Sequence, residues 1–205
     1  MLVSGALLAS RGAIFPALQS LGLGPAEVRR AWAAFRYGAW SINSMLQTWR
    51  TYVEEQGYWQ ARQYAGYYVK AVDISAYWRP TVKGLQSQHY DAQAGRALPA
   101  VVFGLVGRVG AVDDQRMALL TDLLRAELTN PAESALQTEL VKQVAASLAE
   151  DEMPVFDAGF KVKALQAAGL SRFVVRLAKN VTARRNSLPD SSGGRPPEYG
   201  AIVRP

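Results

Sequence analysis

The chain of 205 residues has no cysteine and a single histidine, His89. The first absence excludes disulfides and zinc–thiolate sites, and it suits a reducing compartment. The second leaves little room for a Ser-His-Asp triad or a histidine-rich metal site. Any metal must then be held by carboxylates, which points to magnesium or manganese rather than zinc. No apolar run approaches the roughly 20 residues of a membrane helix. Met1 to Ser10 is apolar, but no basic segment precedes it and Arg11 interrupts it, which argues against a signal peptide.

What is present is a positive charge, distributed unevenly. The net charge is +6. Residues 1–90 carry 9 Lys/Arg against 4 Asp/Glu, residues 91–171 carry 7 against 11, and residues 172–205 carry 7 against 2. Basic ends around an acidic middle fit a protein that holds a polyanion and keeps carboxylates near its centre. Ordinary surface charge is the plainer alternative. Apolar residues at 49% and charged residues at 20% describe a globular protein.

The N-terminal region, 1–56, reads as helical. Gly22-Leu23-Gly24-Pro25 is a break, and Pro25 suits the first turn of a helix. Val28, Ala31, Trp32 and Phe35 then share one helical face. A turn at Tyr37-Gly38 leads to a second helix from about Ala39 to Val53, with Trp40, Met45, Leu46, Trp49 and Val53 as packing residues. Trp32, Trp40 and Trp49 are expected in the core of these helices. Two helices about a glycine turn resemble a helix-turn-helix, although hairpins that merely pack are common.

After Gly57 the texture changes to strand. Tyr64 to Trp78 is rich in tyrosine and β-branched residues and ends before Pro80. Gly84 to Tyr90 is a short second strand and Leu98 to Val109 a buried third, giving an antiparallel meander. Asp113 to Glu127 reads as a helix, with Met117, Leu120, Leu123 and Leu124 on one face, and Ala132 to Leu148 as another. A short strand ends at Asp157, Phe160 to Ala168 is a helix, and Arg172 to Leu177 is a fifth strand. Residues 181–205 read as a basic Gly/Pro-rich loop or tail.

Three strands, helices, a strand, a helix and a strand make the order of a ribonuclease H-like core, spanning residues 57–180. The expected fold is α/β: a mixed sheet flanked by helices, incomplete at its C-terminal end and preceded by the helical region. That architecture commonly carries one acid on its first strand and another at the end of its fourth, positions filled here by Asp73 and Asp157. A carboxylate at the end of a buried strand is costly without hydrogen bonds or a cation, and two together repel. A shared pair of divalent ions answers both problems and supports in-line attack on phosphorus. The plainer alternative makes Asp157 a helix cap and Asp73 part of an edge turn.

The stretch Ala71-Val72-Asp73-Ile74-Ser75-Ala76-Tyr77-Trp78-Arg79-Pro80 resembles the first catalytic-aspartate block of bacterial insertion-sequence transposases with a DDE nuclease domain. Val155-Phe156-Asp157-Ala158-Gly159-Phe160 resembles the second block, and Arg172 to Asn180 the basic strand that follows. The resemblance implies Asp73 and Asp157 as catalytic metal ligands and magnesium or manganese as cofactor. It also implies cleavage and strand transfer of transposon DNA. The expected partners are transposon ends and target DNA, with a homo-oligomer left open and no membrane, in a cytoplasmic, nucleoid-associated protein. Arg29, Arg30, Arg79, Arg176, Lys179, Arg184 and Arg185 are the candidate DNA contacts. The family's third acid is a glutamate on a later helix. Glu198 stands at a suitable distance but in a proline-rich loop, so the chain reads as a transposase truncated before that acid. The alternative is a non-catalytic DNA-binding remnant. His89 is expected to satisfy a strand-end hydrogen bond.

Overall fold

The computed structural model describes residues 6–10, 13–79, 81, 83–126, 132–177, 182–185 and 200–203. The chain divides into two compact units, Met1–Met45 and Leu46–Pro205. Among the described residues, no helix is long and apolar enough to cross a membrane.

The first unit holds α1 (Ala6–Ala9), α2 (Ile14–Ser20), α3 (Pro25–Tyr37) and the first turn of α4 (Ile42–Glu55). Pro25 opens α3, and the Glu27 carboxylate accepts the Gly24 N–H at 2.9 Å, covering a donor the helix leaves free. Ala17, Leu18 and Val28 are buried, and the Phe15 and Trp32 rings meet at 5.0 Å. Trp40 departs from expectation. It is 52% exposed, on the connection between α3 and α4, with its Nε1–H donated to the Phe35 carbonyl at 2.8 Å. Met45 is likewise exposed, whereas Trp49 is half-buried and stacks on Tyr52.

The second unit is a mixed α/β sheet. Its strands are β1 (Trp59–Ala61), β2 (Gln63–Tyr64), β3 (Tyr67–Trp78), β4 (Gln88–Asp91), β5 (Arg96–Val112), β6 (Gln115–Arg125), β7 (Glu152–Phe156) and β8 (Val174–Val175). Helices α5 (Glu133–Ser147) and α6 (Val162–Ala167) connect β6 to β7 and β7 to β8. The main order is β6-β5-β3-β7-β8. The first three strands are antiparallel, and β7 and β8 run parallel to β3. Strands β1 and β4 extend the pairing of the long β5, and β2 folds back on β3 at Ala65-Gly66.

The expected helix over Asp113–Glu127 is overturned: residues 115–125 are β6, joined to β5 by a two-residue turn at Asp113-Asp114. The cause is a register shift. Val106 pairs with Asp122 and Gly107 with Leu120, so Thr121 is an extra residue in β6, its hydroxyl donating to the Val106 carbonyl at 3.0 Å. A bulge switches which residues face inward. Leu119 before it, opposite Arg108 and in line with Lys70, and Leu124 after it, packed on the core, both lie on the helix-covered face, an odd and an even position. That switch imitates three-and-four helical spacing. The antiparallel meander is therefore β3-β5-β6, with β4 an accessory ribbon.

Val72, Val106 and Phe156 from the sheet pack with Leu140, Val141 and Val144 of α5 and Leu165 of α6 in one core. Close approach of α5 depends on Gly104, where a Cβ would come within 2.9 Å of Leu140. The expected tail over 181–205 contains a short antiparallel pair, β9 (Ala183–Arg184) with β10 (Ile202–Val203).

Candidate functional site

Strand alternation gives the sheet two unlike faces. Val72, Ile74 and Ala76 turn towards α5, as do Val102 and Val106. Asp73, Ser75 and Tyr77 therefore lie on the opposite face. Cross-strand partners share a face, so Leu105 lies beside Asp73 with Leu123 one strand further on, and Phe103 lies beside Ser75 with Arg125 one strand further on.

On the other side of β3 lies β7. Val72 and Phe156 are the last register partners of β3 and β7, so Asp73, within β3, and Asp157, just after β7, are the residues that follow that pair. Adjacent strands are about 4.8 Å apart. Asp73 sits in the middle of β3, between β5 and β7, and not in an edge turn. Its Oδ1 accepts the Ile74 N–H at 2.8 Å. Asp157 follows the last residue of β7. Its carbonyl accepts the Phe160 N–H at 3.1 Å, closing the turn into α6, but its side chain caps no helix. The Arg176 guanidinium stands 3.6 Å from Asp157 Oδ1.

Both aspartates are exposed, unlike the costly buried strand-end acids expected. Exposure leaves their oxygens open to a ligand from outside. As donor types, carboxylates suit a hard cation whose remaining ligands are water or phosphate. Among the described residues there is no group of three or more His, Asp or Glu placed to hold a metal. Glu198 lies outside the described residues.

The candidate DNA contacts fall in several places. Arg79 is exposed at the end of β3, with its guanidinium 4.3 Å from the centre of the Tyr77 ring. Arg176 is beside Asp157. Arg29 and Arg30 are exposed on α3 in the first unit, and Arg184 and Arg185 on and beside β9. Lys179 lies outside the described residues.

A second charged cluster, which sequence reading missed, occupies the helix-covered face. Glu152 is buried, 2.6 Å from Lys70 and 3.3 Å from Arg108, and it accepts the Ala149 N–H at 3.0 Å. Burial pushes this carboxyl up, but the hydrogen bonds from Lys70 and Ala149, the Lys70 charge and Arg108 outweigh it, so its pKa is lowered. Arg172 donates to the carbonyls of Glu152 and Ala149 at 3.1 and 2.9 Å, which ties the start of β7 to the segment before β8. The cluster borders a polar cavity of about 280 Å³ that also involves Arg50 and Asp122. Its only sequence signal was Lys70, on the same strand as Asp73 but with the opposite parity.

His89, expected to satisfy a strand-end hydrogen bond, is paired with a helix instead. Its Nδ1 lies 2.8 Å from Glu133 Oε2 at the start of α5, a partner that sequence distance concealed. Comparison with protein-family models, curated proteins and solved structures gives no match for this chain.

Proposed function

We propose that the chain is a DDE-type transposase with a ribonuclease H-like nuclease domain, acting on DNA phosphodiesters with magnesium or manganese. The observation that carries the reading is the Val72–Phe156 register, because Asp73 and Asp157 are the residues that follow this pair. The order β6-β5-β3-β7-β8, antiparallel then parallel, supports it, because it is the strand order of a ribonuclease H-like core. In that frame β3 is the first core strand and β7 the fourth.

Asp73 and Asp157 would hold the ion, which when bound supplies an activated water or 3′-hydroxyl and stabilises the leaving oxygen. The protein's own part is positioning. Asp73 is paired with Leu105 of β5, one residue beyond the last β3–β7 pair, so its backbone is carried on a rigid frame. Arg176 partly balances Asp157 and offers a cation where a DNA phosphate would arrive. Exposure of both acids leaves room for a polymer that no closed pocket would admit.

The test is nicking of supercoiled DNA by the purified chain with magnesium or manganese. Cleavage that disappears in Asp73→Asn and in Asp157→Asn supports the reading; cleavage that survives both sinks it. A second reading, a DNA-binding protein without cleavage, is favoured by one observation: among the described residues, no third acid joins the pair. It calls for salt-sensitive DNA binding with no metal-dependent nicking.

A further inference from the structure

We infer that the Tyr77 ring, with the Arg79 guanidinium laid over it, is a stacking platform for an unpaired base of single-stranded DNA crossing the acid-bearing face. The inference deepens the DNA-cleaving reading and rests on it for the identity of the polymer.

Tyr77 lies on the same face as Asp73, four residues along the same strand, or roughly 13 Å at the usual rise. Tyr77 is 47% exposed. Its neighbour Trp78 is also exposed, at 37%, but its ring is engaged within the fold. Trp78 has the opposite parity, donates its Nε1–H to the His89 carbonyl at 3.4 Å, and meets the His89 ring at 5.7 Å. Tyr77 has Val101 opposite it in register and the Arg79 guanidinium 4.3 Å from its centroid. A large apolar ring left half in water costs solvation that a core position would recover.

The pair has the two properties that single strands require. Aromatic rings and guanidinium planes borne on a sheet stack bases of any sequence, and the cation meets the adjoining phosphate. A duplex hides its base faces, so the occupant is a single strand. Charge on this face agrees: Arg125 is exposed on the same face and Arg176 beside Asp157. Tyr77 is thus a positioning residue. It grips a base while a phosphate of the same strand lies at Asp73 and Asp157.

The experiment measures anisotropy of a fluorescein-labelled oligothymidylate, and of the same oligonucleotide with abasic sites, against the full chain in EDTA. Wild type should bind the base-bearing strand roughly ten-fold more tightly than the abasic one. Tyr77→Ala should lose that preference and Tyr77→Phe should keep it. Equal binding of the two strands by wild type overturns the inference, whatever the variants do. So does a Tyr77→Ala variant that retains the preference. No divalent ion is present, so the result is independent of cleavage. Failure of metal-dependent nicking would strike the DNA-cleaving reading and leave a measured base preference standing.

Discussion

Lys70 and Glu152 form a buried ion pair of 2.6 Å on the face of the sheet opposite Asp73. Lys70 also donates to the Ser147 carbonyl at the end of α5. The pair therefore fastens β3, β7 and α5 together at one point. Because the Glu152 pKa is lowered below the ordinary 4.5, the unfolded chain binds this proton more readily than the folded one. The stabilisation is present above pH 4.5 and is lost as the pH falls through the folded value. Glu152→Gln should cost about 3 kcal/mol at pH 7, since it leaves a buried ammonium without its counter-charge. It should also flatten the loss of stability on acidification below about pH 4.5. Urea denaturation at several pH values checks both; an acid slope equal to that of wild type would remove Glu152 from the account.

Asp73 and Asp157 should behave in the opposite way. Both are exposed, and the Arg176–Asp157 pair is open to solvent, a setting in which ion pairs contribute at most about 1 kcal/mol. Asp73→Asn and Asp157→Asn should each leave stability within about 0.5 kcal/mol of wild type. Under the transposase reading each should abolish metal-dependent nicking. The dissociation matters more than either result alone. A variant that loses cleavage and unfolds together says nothing about chemistry, so denaturation curves belong beside the nicking gels.

What was legible in the sequence followed from local signals. Pro25 and Gly24 announced the start of α3, and the β-branched run before Trp78 announced β3. The expected order of elements puts the strands that lead to Asp73 and Asp157 side by side, and β3 and β7 do pair up to Val72–Phe156. The β5–β6 hairpin was illegible because the bulge at Thr121 breaks alternation in the middle of β6. A two-fold pattern with one residue inserted reads as a helix. Trp40 was misplaced because helical spacing says nothing of where a helix begins, and Trp40 precedes α4. The Glu152 cluster needed long-range pairing: its partners lie 82 and 44 residues away, and a single sequence records neither.

Gly104 and Leu140 test the packing that holds α5 against β5. Leu140 is fully buried, and a Cβ at Gly104 would press on its methyl groups at 2.9 and 3.1 Å. Gly104→Ala should cost about 1–3 kcal/mol by overpacking. Leu140→Ala should cost about 2–5 kcal/mol by leaving a cavity. The double variant should be more stable than the sum of the two losses implies, by about 1 kcal/mol, because the new methyl group enters the space that Leu140 vacates. A double-mutant cycle by urea denaturation measures this; strict additivity would mean that α5 does not pack over Gly104.

Arg176 separates a structural ion pair from a phosphate contact. Its side chain is 79% exposed and 3.6 Å from Asp157, a geometry too open to anchor β8. The backbone does that, through the Arg176 N–H donated to the Phe156 carbonyl at 2.9 Å. Arg176→Ala should therefore leave stability almost unchanged. If the guanidinium neutralises a DNA phosphate, the variant should bind DNA more weakly on all sequences alike. The log–log slope of affinity against salt should also become shallower by about 1. Asp157→Asn is the control. Removing the acid frees Arg176 for phosphate, so DNA binding without divalent ions should hold or strengthen while cleavage is lost. An Arg176→Ala slope identical to that of wild type would assign the residue to Asp157 alone and place the phosphate path elsewhere on the sheet.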